Sequence, residues 1–441
     1  MLATVFRNKN NEVSGNQIKL FLLLFFFVLA VLVGESSRNV TSDPRGTLMV
    51  SQAIVQHGTI RLDSYDKSLL DSYGYVFHQK NGHYYSYFPL GTALIGVPFV
   101  AAANVLGLDI VRVDPLVQMA MVAFAAFFSL WILYGIARLY LTPLLSLSMV
   151  ALAWFGSALA STLGTALWSH NFAFVFSSLA IFLVLKVRAD GGGLKISILV
   201  GSCLFMAYFC RPVLALLVPF LLSYYFFKNR WAAVFAGLVF CALMAVFMGW
   251  SYFEFGQILP DYYQPKRLGN ADFMLAVYGG LFSPARGLLV YSAFLVPSLL
   301  LSLLLAFRGG EYLKLSLITL AWPAAHLLSV SQLPHWWAGW SFGARFMADV
   351  LPGLLLGLFA VMQAFKGSRL LCGALILTGA ASVFINTYQG LFNPYSVKWW
   401  NAEPNIDMNP QYLFDWRFPP FLHNEDRHRL RIEEHQSQAK Q

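Results

Sequence analysis

Charge is what this sequence has least of. Asp, Glu, Lys and Arg make up 12% of 441 residues, about half the share of a soluble domain. With 58% of the residues hydrophobic, an ordinary water-soluble domain is excluded. Cysteine is nearly as scarce. Cys203, Cys210, Cys241 and Cys372 all lie inside apolar stretches, and none has CxxC spacing. That argues against a disulfide framework or a zinc site. There is no GxxxxGK[ST], no GxGxxG between a strand and a helix, and no HExxH. The formal charge of +9 need not mean nucleic acid, because Lys and Arg of membrane proteins gather in cytoplasmic loops.

Long apolar runs are abundant. They lie at about 18–34, 89–108, 114–137, 142–162, 168–187, 194–210, 212–227, 231–250, 287–307, 312–331, 346–365 and 369–386. Their lengths suit membrane helices of about twenty residues and exclude a barrel of ten-residue strands. The first run, behind Arg7 and Lys9, reads as an uncleaved anchor. If every run crosses from a cytoplasmic N-terminus, the basic connectors at Arg138, Lys186–Lys195 and Lys228–Arg230 face outward, against the positive-inside rule. The run 89–108 contains Pro89, Gly91, Gly96, Pro98 and Gly107, which suits a helix lying at the interface. With that run set aside, the basic connectors face the cytoplasm.

The expected fold is therefore an all-α polytopic membrane protein with about eleven transmembrane helices. Interfacial helices occupy the first outer loop, and the C-terminal tail lies outside. Residues 1–250, with outer loop 35–113, form a first module. Residues 251–386, with outer loops 251–286 and 332–345, form a second. Residues 387–441 form an outer tail, and its charged end, 424–441, is expected to be disordered.

The outer loops hold most of the chemistry. In "NVTSDPRGTL", Asp43 has two compatible readings: a helix cap ahead of Pro44, with the helix ending at Gly58, or a carboxylate held at the membrane boundary as a general base. Arg45 beside it either binds phosphate or meets headgroups. "HYYSYFPLG" contributes His83, Tyr84, Tyr85 and Tyr87, which form either an interfacial aromatic belt or a rim for sugar or acceptor. Arg286 in "SPARG" either snorkels to headgroups or binds phosphate with its planar fork. "PHWWAGWSFGARFMAD" offers His335, Trp336, Trp337 and Trp340 for a sugar and Arg345 for a phosphate. Its tryptophans also suit an anchor belt, and Arg345 with Asp349 also suits an i,i+4 ion pair. His170 and Arg211 fall at outer span ends, where ionisable groups are functional candidates. An outer active site has no access to ATP or nucleotide sugars, so a group-transfer donor has to arrive in the membrane. A polyprenyl-phosphate sugar meets that need.

An Asp just after the first span, a long outer loop ending in "YYSYFPLG" and many further spans resemble the GT-C membrane glycosyltransferases. The likeness is nearest to the glycosyltransferase-39-like enzymes, among them protein O-mannosyltransferases and the aminoarabinose and galacturonosyl transferases of lipid A. "GGLFSPARGLLVYS" and "WWAGWSFGARF" are similar to stretches in bacterial members of that group. The resemblance implies a multi-pass protein of a bacterial inner membrane with a periplasmic active site. It implies inverting transfer from a polyprenyl-phosphate sugar to an envelope glycan, a glycolipid or a surface protein such as a pilin. It places Asp43 at the acceptor-activating position, with donor phosphate binding falling to Arg286, Arg345, Arg45 and Arg211. Members often carry an acidic pair where this chain has Asp43-Pro44, so dependence on a divalent cation, Mg or Mn, stays open, and no metal ligands are assigned. The competing readings are a transporter or flippase for lipid-linked saccharide and a polysaccharide ligase.

Overall fold

The computed structural model describes residues 44–187 and 193–438, with Leu22, Phe25, Phe26 and Leu29 ahead of them. Asp43 and most of the expected first span lie outside the described residues. Leu22, Phe26 and Leu29 are helical and buried in the main core, at the i, i+4, i+7 spacing of one helix face.

Helices fill the places where the apolar runs predict them. Among the described residues, six are long and apolar enough to cross a membrane: Ile110–Ala137, Ser169–Lys186, Arg230–Phe255, Gly310–Val330, Arg345–Ala364 and Arg369–Phe392. Shorter apolar helices include Pro143–Phe155, Leu194–Cys210, Pro212–Lys228 and Leu295–Phe307. The run 89–108 forms Leu90–Val105, with Pro98 inside it. Sixteen residues rise about 24 Å, short of a hydrocarbon core of about 30 Å. Arg345–Ala364 is the most enclosed of the long helices, while Arg230–Phe255 leaves Trp231, Leu238, Val246 and Phe253 exposed. The first is an inner helix and the second presents an apolar outer face.

The polar segments meet at one end of the bundle. Arg61 bonds Glu254 through Nε at 2.7 Å and Nη2 at 3.2 Å. Lys80 reaches Asp261 at 2.9 Å, and the Gly269 N–H donates to the Gln332 carbonyl at 2.9 Å. Two local expectations are corrected here. The helix of the first loop starts at Thr47, with Gly46 in the cap position at φ 78, so Asp43 and Pro44 are not its cap and first residue. A Cβ on Gly46 would lie 2.2 Å from the Phe77 ring, which explains the glycine. Gly58 does end that helix, at φ 64. The loop also holds a two-stranded antiparallel hairpin, β1 (Phe77–Lys80) with β2 (His83–Ser86). Asn81 and Gly82 turn it at φ 51 and 82, as a primed two-residue turn requires.

The expected disordered end is instead a helix, Glu425–Gln438. Arg431 anchors it. This side chain is 1% exposed, lies 4.4 Å from the Trp400 ring centre and 4.8 Å from that of Tyr412, and donates to the Trp400 carbonyl at 2.7 Å. Composition alone reads these charges as solvated, and a single buried Arg on aromatic faces overrides that.

Gly343 gives a direct test of the packing. Its φ is 67, and a Cβ there would lie 2.6 Å from Tyr291 Cδ1. Gly343→Ala is expected to destabilise the protein by on the order of 2–4 kcal/mol, from backbone strain plus overpacking. Thermal unfolding in detergent checks this, and an unchanged melting temperature would refute it.

Candidate active site

Four separate elements bring ionisable side chains to one buried point beside the polar end. Trp168 is extended at ψ 151, so the helix Ser169–Lys186 starts there and places His170 in its first turn. The helix Leu194–Cys210 stops at Arg211, which is extended at φ −144, ψ 104 ahead of Pro212. A residue before proline is disfavoured in the helical region, and here that turns Arg211 inward. The short turn Arg345–Val350 leads into the helix Leu351–Ala364 and carries Asp349.

Asp349 is the centre of the cluster. Its Oδ1 is 2.7 Å from His170 Nδ1, and its Oδ2 accepts from Arg211 Nε at 3.3 Å. His326 Nε2 lies 4.0 Å from the same Oδ2 and donates to the Phe346 carbonyl at 2.9 Å. His170, His326 and Asp349 are fully buried, and Arg211 is 4% exposed. A buried carboxylate needs a cation and hydrogen bonds to offset its desolvation, and Arg211 with His170 supplies both. Among the described residues the ion-pair partners of Asp349 come from other elements and not from Arg345, whose i,i+4 pair with Asp349 is one of two readings of the sequence.

Arg211 also lines an open cleft. Its Nη1 donates to the Tyr262 hydroxyl at 3.1 Å, and its guanidinium lies 5.5 Å from the Phe346 ring centre. At the lip, Arg267 stacks 4.0 Å over the Tyr262 ring and 5.8 Å from that of Tyr87. Pro212, Val213, Val330, Leu333 and Phe346 supply apolar wall. Cations on aromatic faces beside apolar wall suit a ligand with an anionic head and an apolar chain. The floor segment is pinned by Asp261. Burial alone would raise this carboxyl, but hydrogen bonds from Lys266 and Lys80 outweigh it and bring it down to about 2.

A small recess adjoins the cleft and shares Val330 and Phe346 with it. Arg286, Arg345, Trp336 and Trp337 line it. Arg345 lies 4.2 Å over the Trp168 ring. Arg286 donates to the carbonyls of Trp337, Ala285 and Gly339 at 2.9, 2.9 and 3.0 Å and to Asn401 Oδ1 at 2.7 Å. Burial lowers its guanidinium to about 10, so it stays charged while it holds the loop together. Trp336 packs where a Cβ on Gly279 would sit 2.1 Å away, and Trp337 Nε1 donates to Asp407 at 2.8 Å. Both are core of the outer segment.

The remaining candidates are spread out. His335 and Trp340 are exposed on that loop. His83 contacts Asp63 at 2.6 Å and Arg61 at 3.2 Å, Tyr84 bonds Asp71 at 3.1 Å, and Tyr85 is buried with its hydroxyl on Glu254 at 2.8 Å. Only Tyr87 of that set reaches the cleft's rim, 5.5 Å from Tyr262. Arg45 is exposed and lies 4.5 Å over Tyr73. Near Asp43, the Gln118 amide donates to the Pro44 carbonyl at 3.1 Å and to Asp114 at 2.6 Å. Among the described residues no group of three or more His, Cys, Asp or Glu is placed to hold a metal ion.

These elements define a polytopic α-helical membrane protein with a cationic, aromatic-lined cleft at its polar end. Neither a protein-family model nor a curated protein sequence matches the chain. In fold it is similar to a solved structure, that of ArnT from Cupriavidus metallidurans bound to undecaprenyl phosphate. The TM-score is 0.51, with 13% identity, over 91% of this chain and 73% of that one. The fold is GT-C-like.

Proposed function

We propose that the chain is a membrane glycosyltransferase that moves a sugar from a polyprenyl-phosphate donor to an extracytoplasmic acceptor. The reading is supported most by the cleft that joins apolar wall to Arg211 and Arg267, in a fold like that of a protein solved with a polyprenyl phosphate. The lipid phosphate lies against those arginines, with Arg345 in the adjoining recess next to the sugar. Asp43 takes the proton of an acceptor hydroxyl. The freed oxygen forms a bond to the anomeric carbon, the bond from that carbon to the phosphate oxygen breaks, and the configuration inverts. The lipid phosphate leaves with the bonding pair. Fixed cations at that leaving charge supply a large share of the catalysis. The active site faces the periplasm of a bacterial inner membrane, and the acceptor is an envelope glycan, a glycolipid or a surface protein such as a pilin.

The test is purified protein in liposomes with a radiolabelled polyprenyl-phosphate sugar and cell-envelope acceptor fractions. Label is expected to become covalently attached to acceptor, with free lipid phosphate released in equal amount. Movement of intact donor between leaflets without transfer would overturn the reading and favour a flippase.

A further inference from the structure

Asp349 does not line the cleft, yet it holds the Nε side of Arg211, which does. Its carboxylate spans His170 Nδ1 at 2.7 Å on one oxygen and Arg211 Nε at 3.3 Å on the other. Arg211 is held a second time by the Tyr262 hydroxyl at 3.1 Å, and Tyr262 is the ring under Arg267 at 4.0 Å. A carboxylate bonded at Nε fixes the guanidinium plane, which a point charge placed anywhere nearby would not. His170 Nε2 is buried without a hydrogen-bond partner among the described residues. Its Nδ1 contact to Asp349 at 2.7 Å is the hydrogen bond that holds the ring.

We infer that Asp349, with His170 behind it, is a positioning residue that aims Arg211 at the anionic head of the lipid ligand. The inference rests on the proposed lipid-phosphate reading of the cleft. It has a consequence opposite to that of simple charge. Removing a negative charge close to a cationic anion site strengthens anion binding if only the Coulomb sum matters. If Asp349 acts by holding Arg211 in place, its removal weakens anion binding instead.

The experiment compares binding of undecaprenyl phosphate and of uncharged undecaprenol to the purified full-length chain in nanodiscs. Variants are Asp349→Asn, His170→Ala and His170→Asn, whose amide nitrogen stands where His Nδ1 does. Wild type is expected to prefer the phosphate. Asp349→Asn and His170→Ala are expected to lose affinity for undecaprenyl phosphate at least tenfold while undecaprenol binding stays the same, with His170→Asn recovering most of the loss. Unchanged or tighter phosphate binding by Asp349→Asn overturns the inference and leaves the lipid-phosphate reading standing. Equal loss of both lipids, or no difference between His170→Asn and His170→Ala, overturns it as well, since either marks a merely structural role. Wild type that does not distinguish phosphate from alcohol overturns the lipid-phosphate reading, and the inference falls with it.

Discussion

Asp43→Asn abolishes sugar transfer and leaves the amount of membrane-inserted protein unchanged: this is the expected result of removing the proposed base. The loss of a positioned general base costs about 10²–10⁴ in rate, which is no transfer in most assays. Structural explanations for the residue have narrowed. The cap position of the following helix belongs to Gly46, so the substitution removes no helix cap. The adjoining backbone is fixed by Gln118, which bonds both the Pro44 carbonyl and Asp114. Asparagine keeps the size and loses only the basicity. Transfer by the purified variant at the wild-type rate, at matched protein level, rules Asp43 out as the base.

Arg211→Ala is expected to be the most damaging change in the cleft, and on two separate counts. It leaves Asp349 buried without its arginine, and breaking a buried pair costs about 3–5 kcal/mol. It also removes a cation from the proposed leaving phosphate, where one donor is worth about 10²–10³ in kcat. The control is Arg267→Ala, on the half-buried lip with no carboxylate partner among the described residues. This change should weaken donor binding and leave the melting temperature alone. Arg211→Lys keeps the charge but not the fork and is expected to remain impaired. Kinetics with a polyprenyl-phosphate sugar and unfolding in detergent separate the two effects. An Arg211→Ala protein with wild-type melting and wild-type kcat/KM would remove Arg211 from the site.

The helices were legible because each apolar run is a one-dimensional signal, and the runs 168–187, 231–250 and 346–365 coincide with helices. The cluster around Asp349 was not legible, for a physical reason. Its members lie at 170, 211, 326 and 349, and no periodicity links residues brought together by separate spans. Asp349 sat four residues from Arg345 and so suggested a local pair. His326 was an ionisable group within the run 312–331 and could have been flagged on that ground alone. The hairpin had a local signal too, since Asn81-Gly82 is a strong turn pair, but the aromatic density of "HYYSYF" drew attention to an interfacial belt or a ligand rim instead. Trp336 and Trp337 carry a packing role that the sequence did not signal. Tryptophans next to glycines read as a ligand surface, and Gly279 turns out to be the space into which Trp336 packs.

The contacts of Arg286 bear on how the protein is made. This side chain meets Asn401, Trp337 meets Asp407, and Trp400 lies between Arg286 at 5.5 Å and Arg431 at 4.4 Å. The loop that carries Arg345 is thus tied to residues near the end of the chain. Synthesis runs from the N-terminus, so the membrane helices are in place before those ties exist. A chain that stops before Asn401 is therefore expected to lack the contacts that hold Arg286 and Trp337 beside the small recess.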